Sequence, residues 1–340
     1  MGFLSDCEMV VNFKGETSSK KPLPGGGPQG TLLGLLLFLV LVNYCGFKNE
    51  GQIGEQITNK KSKFTPTVHH SKFVDDLTIA EAFNLRESII PNPNRIQPDN
   101  YHARLGQKLD PTKSKVYDQI DRTNDYANQM QMKMNLQKTK FMVFNPTSNF
   151  DFIPEHKEIE TTEEMKLLGL VIRNDLSWRS NTEQMIKKAY RRLWIVKRLI
   201  LNGASREDLI DVYTKQVRSI LEFGVPVWHP NLTEGESKDI ERVQKSFLHM
   251  LLGTEYVSYE QALEISQLEQ LAIRRTALCY KFAMKASKHP KHMNWFVKTD
   301  RQGPNTRRDK MEYKQPIHRL VRYQKSPIPY LTNLLNKHRK

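Results

Sequence analysis

The spacing of apolar positions changes along the chain, and each change marks an element. Between residues 112 and 134, Val116, Ile120, Thr123, Ala127, Met130 and Met134 recur at steps of three and four. That period predicts one helix with a single buried stripe. After Trp178 the same rhythm returns in Ile186, Ala189, Leu193, Val196 and Ile200. Ser205, with Asp208 three residues on, reads as a helix cap, followed by the stripe Leu209, Val212, Tyr213, Val217 and Ile220. Ser237 is expected to start another helix, with Ile240, Val243, Phe247 and Leu251 inside and Gly253 at its end. A further helix is expected over 268–286, and a short one near the C-terminus. Strands are expected at 9–13, at 73–74 and 77–80, at 141–144 and at 166–172, where short runs of β-forming residues end at turn residues.

Two stretches break the pattern in ways that suggest chemistry. Leu23-Pro24-Gly25-Gly26-Gly27-Pro28-Gln29-Gly30 cannot be regular structure. It leads into the apolar run 32–42, which predicts a buried helix. At eleven residues that run is shorter than the roughly 20 a membrane span needs. A glycine-rich loop entering a helix suits a phosphate or nucleotide contact, and equally a plain surface loop. In the second stretch, Phe73-Val74-Asp75-Asp76-Leu77, two adjacent carboxylates sit between β-formers. Asp tolerates a tight turn. Paired acids either stay solvated or share a divalent cation, and Mg²⁺ prefers carboxylate and phosphate oxygens. His69-His70 lies beside this turn, but adjacent strand residues point to opposite faces.

Charge sharpens the picture. The chain carries a net +15 at 38% hydrophobic content, enough for a core and a strong attraction to polyanions. Residues 286–340 hold fourteen Lys or Arg against three Asp or Glu, or 14 − 3 = +11. Lys187, Lys188, Arg191, Arg192, Lys197 and Arg198 flank the expected helix stripe after Trp178, with Tyr190 and Trp194 among them. Cations with aromatics suit a nucleic-acid backbone, while cations alone also suit a solvated face. Cys7, Cys45 and Cys279 are too far apart in sequence for a metal motif or disulfide framework. The start has no signal-peptide pattern, so an intracellular site, nuclear or cytoplasmic, is expected rather than secretion.

Five segments, in order, resemble the reverse transcriptases of non-LTR (LINE-type) retrotransposons. They are Pro28-Gln29-Gly30 in its glycine-rich context, Phe73-Val74-Asp75-Asp76, Asn135-Leu136-Gln137-Lys138-Thr139-Lys140, Leu167-Leu168-Gly169 with Leu176-Ser177-Trp178, and Val227-Trp228-His229-Pro230. The resemblance implies an α+β fold: a partial right-hand polymerase palm of antiparallel sheet with packed helices, then a helical thumb-like region. It divides the chain into a partial palm at 1–160, a primer-grip strand pair and thumb at 161–285, and a basic tail at 286–340. It implies RNA-directed DNA polymerisation on an RNA template and DNA primer, with deoxynucleotides and two Mg²⁺. Asp75 and Asp76 would hold metal. Lys138 or Lys140 would meet the leaving pyrophosphate. Gly27, Pro28, Gln29, Gly30 and Phe73 would line the nucleotide and template, and Leu168 and Gly169 the primer end. The family's further metal-binding aspartate lies in a segment upstream of the Pro-Gln-Gly loop. Asp6, Glu8 and Glu16 fall where the family has a connecting hairpin. A chain inactive by itself is therefore expected, or a non-catalytic nucleic-acid-binding remnant or nonfunctional transposon-derived fragment. No membrane partner is expected.

Overall fold

The computed structural model describes residues 8–10, 12–13, 15–22, 68–73, 76–81, 108–109, 115–130, 132–144, 151–152, 159–299, 312–317 and 321–338. The fold is mixed α and β, in two compact units: 1–139 with 149–160, and 140–148 with 161–340.

In the first unit the described strands come in pairs. β1 (Glu8–Met9) pairs antiparallel with β4 (Lys21–Pro22), and β2 (Asn12–Phe13) with β3 (Glu16–Thr17). The single strand expected at 9–13 is thus two short ones. β5 (Val68–Phe73) and β6 (Asp76–Glu81) form a six-pair antiparallel hairpin that runs from Val68↔Glu81 to Phe73↔Asp76. β7 (Lys108–Leu109) and β9 (Asp151–Phe152) pair in parallel. Among the described residues no sheet exceeds two strands.

Glu81 links the hairpin to the helix that follows. Its Oε2 accepts the backbone N–H groups of Lys115 (3.0 Å) and Val116 (3.3 Å). A carboxylate there satisfies donors that a helix start leaves open and matches the positive end of its dipole. The helix, α1 (Lys115–Gln129), buries Val116, Tyr117 and Ala127. At its C-terminal end it stops short of the expected Met134, and residues 112–114 lie outside the described residues. Asn135 turns the chain instead: its Oδ1 accepts Lys138 N–H at 3.1 Å, and its carbonyl accepts the Thr139 hydroxyl at 3.0 Å. Asx turns of this kind compete with helix.

The second unit opens with β8 (Lys140–Phe141), and the Phe141 carbonyl accepts Thr162 N–H at 2.9 Å; β10 (Glu160–Thr161) lies at the sequence boundary of the two units. Strand structure stops at Phe141 rather than running to Phe144, which is exposed. The strand expected over 166–172 is a hairpin, β11 (Glu164–Leu167) against β12 (Leu170–Arg173). Leu168 and Gly169 form its two-residue loop, at φ +47° and +87°. Two successive positive φ values are the signature of the turn whose twist matches paired strands. Leu168 hides that signature, because a turn of this type favours Asn or Asp first.

Helices build the rest. α2 (Arg179–Leu201) buries Met185, Ala189, Leu193 and Val196. α3 (Arg206–Val212) starts at Ser205, whose Oγ accepts Asp208 N–H at 3.1 Å. It runs into a π-helical turn over Tyr213–Arg218 and then α4 (Ser219–Leu221). The wider turn keeps Tyr213, Val217 and Leu221 all buried. After α5 (Val225–Trp228) comes α6 (Glu234–Leu252). It begins at Thr233, not Ser237, in a capping box with Glu236: Glu236 N–H to Thr233 Oγ1 at 3.2 Å, and Thr233 N–H to Glu236 Oε2 at 2.8 Å. Ser237 lies inside the first turn. α7 (Tyr259–Ser266) precedes α8 (Leu271–Lys288). The core joins all of these, with Phe247 stacked on Tyr213 at 4.0 Å between ring centroids.

The basic C-terminal region contributes to the same core. After α9 (Val321–Gln324), α10 (Pro327–Lys337) packs on α8 through buried Leu331, Leu334 and Leu335. Asn336 holds both backbone polar groups of Tyr313, at 3.1 and 2.9 Å. No described helix is long and apolar enough to cross a membrane.

Candidate nucleic-acid interface

Helical period divides α2 into two faces. Met185, Ala189, Leu193 and Val196 point inward, and everything else of interest points out. Lys187, Lys188, Arg191, Arg192, Lys197 and Arg198 are all exposed. At 1.5 Å per residue, the span from Lys187 to Arg198 is about 16 Å. None of the six makes an ion pair with a described residue. On α2, only Arg179 does, with Glu183 at 3.0 Å. The field of these cations is therefore directed to solvent.

Two aromatics interrupt the cations on the same side. Tyr190 is 42% exposed and Trp194 is 59% exposed, large apolar surfaces left open to solvent. The Arg198 guanidinium lies 4.9 Å from the Trp194 ring centroid, one turn along. Tyr190, Leu193, Trp194 and Lys197 form one wall of an open groove of about 290 Å³, and Ser246 and Met250 of α6 form the other. The Tyr190 hydroxyl lies 3.4 Å from Ser246 Oγ, a contact between the two helices.

The hairpin β11–β12 presents a second feature of this unit. Leu168, 48% exposed, stands at its tip. A Cβ on Gly169 would meet the Phe223 ring at 3.0 and 3.3 Å, and one on Gly224 would meet Leu170 at 3.0 Å. Close approach of 223–224 fixes the hairpin against the helical unit. Asn181 Oδ1 adds a bond to Val171 N–H at 3.1 Å.

The expected acidic site is only partly described. Asp75, Gly27, Pro28, Gln29 and Gly30 lie outside the described residues, as does the apolar run 32–42. Phe73 ends β5 opposite Asp76, which begins β6 and is exposed. Lys138 is exposed in the Asn135 turn, and Lys140 is exposed on β8. Among the described residues, no three His, Cys, Asp or Glu side chains gather. Asp76 is the one member of the acidic pair among the described residues, and no metal-dependent step is assigned to it. His69 and His70 occupy successive positions of β5, opposite Ala80 and Ile79.

The segment Val227-Trp228-His229-Pro230 lies at the core. Trp228 is fully buried and donates Nε1–H to the Phe223 carbonyl at 2.8 Å. His229 meets a buried arginine that sequence reading does not single out. Arg275 Nε donates to His229 Nδ1 at 3.4 Å, and its Nη2 donates to Ser237 Oγ at 2.7 Å. A guanidinium only donates, so Nδ1 accepts and the imidazole proton sits on Nε2, within 3.4 Å of Thr276 Oγ1 and the Tyr330 hydroxyl. Burial and the Arg275 charge push His229 down to about 4. Burial pushes the neighbouring Cys279 thiol up to about 12, so it is inert. Nothing in the local sequence separates buried Arg275 from its half-buried neighbour Arg274, which pairs with Glu222 at 2.6 Å; only its place opposite His229 does. The wall residues Ser246 and Met250 are equally invisible from sequence, because they come from another helix.

Comparison with protein families finds no family model that matches the chain, and comparison with curated proteins finds no match either.

Proposed function

We propose that this chain binds nucleic acid through the outer face of α2 and derives from a non-LTR retrotransposon reverse transcriptase. One observation carries the binding reading: six exposed cations on one helix, none paired with a described carboxylate, interleaved with two exposed aromatics. Phosphates would displace condensed counterions from this face, so affinity would fall steeply with salt. The reverse-transcriptase reading draws support from the ordered motifs. Two of them fall at hairpins, Phe73 opposite Asp76 and Leu168-Gly169 in a two-residue loop. A helical unit follows, as a thumb would. Template and primer strands are the partners this reading names. Mg²⁺ at Asp75 and Asp76 is its cofactor. With only Asp75 and Asp76 assigned as metal ligands, this reading proposes binding without primer extension.

The test is a salt titration of RNA binding, with a variant carrying Lys187→Gln, Arg191→Gln, Lys197→Gln and Arg198→Gln. Each lost phosphate contact reduces the slope of log K against log salt by about 0.7 to 0.9. An unchanged slope in that variant refutes the binding reading. Primer extension on an RNA template with Mg²⁺, compared between wild type and Asp75→Asn, tests the other half. Extension abolished by the substitution would overturn the expected inactivity.

A further inference from the structure

We infer that the groove between α2 and α6 is a seat for an unpaired nucleobase, so that this face selects single-stranded over duplex nucleic acid. The inference rests on the proposal that the outer face of α2 holds nucleic acid. A backbone-binding face needs only cations. This one also keeps Trp194 59% exposed and Tyr190 42% exposed, one helical turn apart on the same side. Both line an open groove with Leu193 and Met250, whose surface is mostly apolar, and with Lys197 and Ser246 as its polar members. Its volume of about 290 Å³ equals roughly ten waters of bulk liquid, space for a purine-sized ring system. An apolar bed with a few polar groups at the edge is how a flat heterocycle is held.

Charge complementarity identifies the occupant. An apolar peptide or a second copy of this chain would have to bring its contacts past Lys187, Arg191, Lys197 and Arg198, which ring the aromatics. A polynucleotide strand places a phosphate on either side of each base. With the base against Trp194, its flanking phosphates would lie along the axis of α2, toward Lys187 and Arg191 in one direction and Arg198 in the other. Arg198 already sits 4.9 Å from the indole ring. A duplex offers phosphates but no free base. Its bases are stacked on each other, and extruding one costs a few kcal/mol. The aromatic contribution is therefore open to single strands alone, and it is tolerant of sequence because every base has a π face.

The experiment compares Trp194→Ala, Trp194→Phe and wild type on an oligouridylate and on a duplex RNA of equal length, by fluorescence anisotropy at fixed salt. Trp194 is exposed, and circular dichroism checks that each variant folds. Trp194→Ala is expected to weaken single-strand binding roughly 5- to 150-fold, the range for one lost stacking contact, with duplex affinity unchanged. Trp194→Phe is expected to recover most of the loss. Intrinsic fluorescence gives a direct readout: oligouridylate quenches a component that is missing in Trp194→Phe. Equal affinities of wild type and Trp194→Ala for the single strand overturn the base seat while leaving backbone binding intact. Loss of single-strand and duplex binding only in the four-cation variant supports backbone binding without a seat, and so also overturns this inference. A change in the mass of Trp194→Ala by light scattering, with unchanged single-strand affinity, makes the groove a protein contact and overturns it too.

Discussion

Gly169 and Gly224 hold the same backbone privilege in different surroundings, and substituting alanine at each separates backbone strain from steric clash. Both have positive φ, +87° and +66°. Placing an L side chain there costs about 1–2 kcal/mol. At Gly169 the new Cβ would meet Phe223 Cε1 at 3.0 Å and Cζ at 3.3 Å. Phe223 is 55% exposed, so its ring can swing outward at small cost. Gly169→Ala is therefore expected to cost little beyond the backbone, about 1–2 kcal/mol. At Gly224 the Cβ would meet both methyls of Leu170 at 3.0 Å and its Cγ at 3.4 Å. Leu170 is packed against the core and has less room to move. Overpacking adds about 1–3 kcal/mol, for a total of about 2–5 kcal/mol. Urea denaturation measures both, with stability read from the midpoint when the slope is unchanged. Equal losses at the two positions, or a smaller loss at Gly224, would refute the account of how the hairpin seats on the helical unit.

Three further outcomes follow from named contacts. Leu168→Asn is expected to stabilise the protein by about 0.5–1 kcal/mol in the same urea assay, because Asn suits the positive φ of +47° at the first loop position. A loss of stability would mean that the Leu168 side chain contributes packing despite its exposure. Arg275 is fully buried, and among the described residues it makes no ion pair with a carboxylate and its Nη1 has no hydrogen bond. Arg275→Met is therefore expected to leave thermal stability unchanged or raise it, while Arg275→Ala loses about 2–4 kcal/mol to a cavity. A large loss in the methionine variant would show that the guanidinium is needed as a charge. His229 is held down to about 4, below its unfolded value near 6.5. Above pH 6.5 it is neutral in both states and contributes no pH dependence. As pH falls from 6.5 to 4, only the unfolded chain takes up the proton, and stability drops by up to about 3 kcal/mol. Stability measured against pH in wild type and His229→Gln checks this: the variant should lose that part of the slope.

Local rules made much of the helical unit legible in advance. The stripe Ala189, Leu193, Val196 and the cap at Ser205 depend on neighbours three and four residues away, and the chain itself enforces those distances. For the same reason the six cations and two aromatics of the candidate interface could be placed on the outer face of one helix. The residue pattern alone read 166–172 as one strand, because Leu168 occupies a turn position that usually announces itself with Asn or Asp; a strand pair there was expected only from the family resemblance. Helix α6 began four residues before the expected Ser237, because Thr233 and Glu236 cap each other through side chains, and the apolar stripe starts later than the cap.

Sequence alone thus determined which residues share a helix face and what charge that face presents, because 3.6-residue periodicity is a property of the backbone. Only tertiary structure brought Ser246 and Met250 of α6 opposite Tyr190 and Trp194 of α2 to make a groove. Only tertiary structure buried Arg275 beside His229 and set α10 into the core through Leu331, Leu334 and Leu335. Those contacts join residues some fifty to a hundred positions apart, where spacing along the chain carries no distance information and packing of complementary surfaces decides.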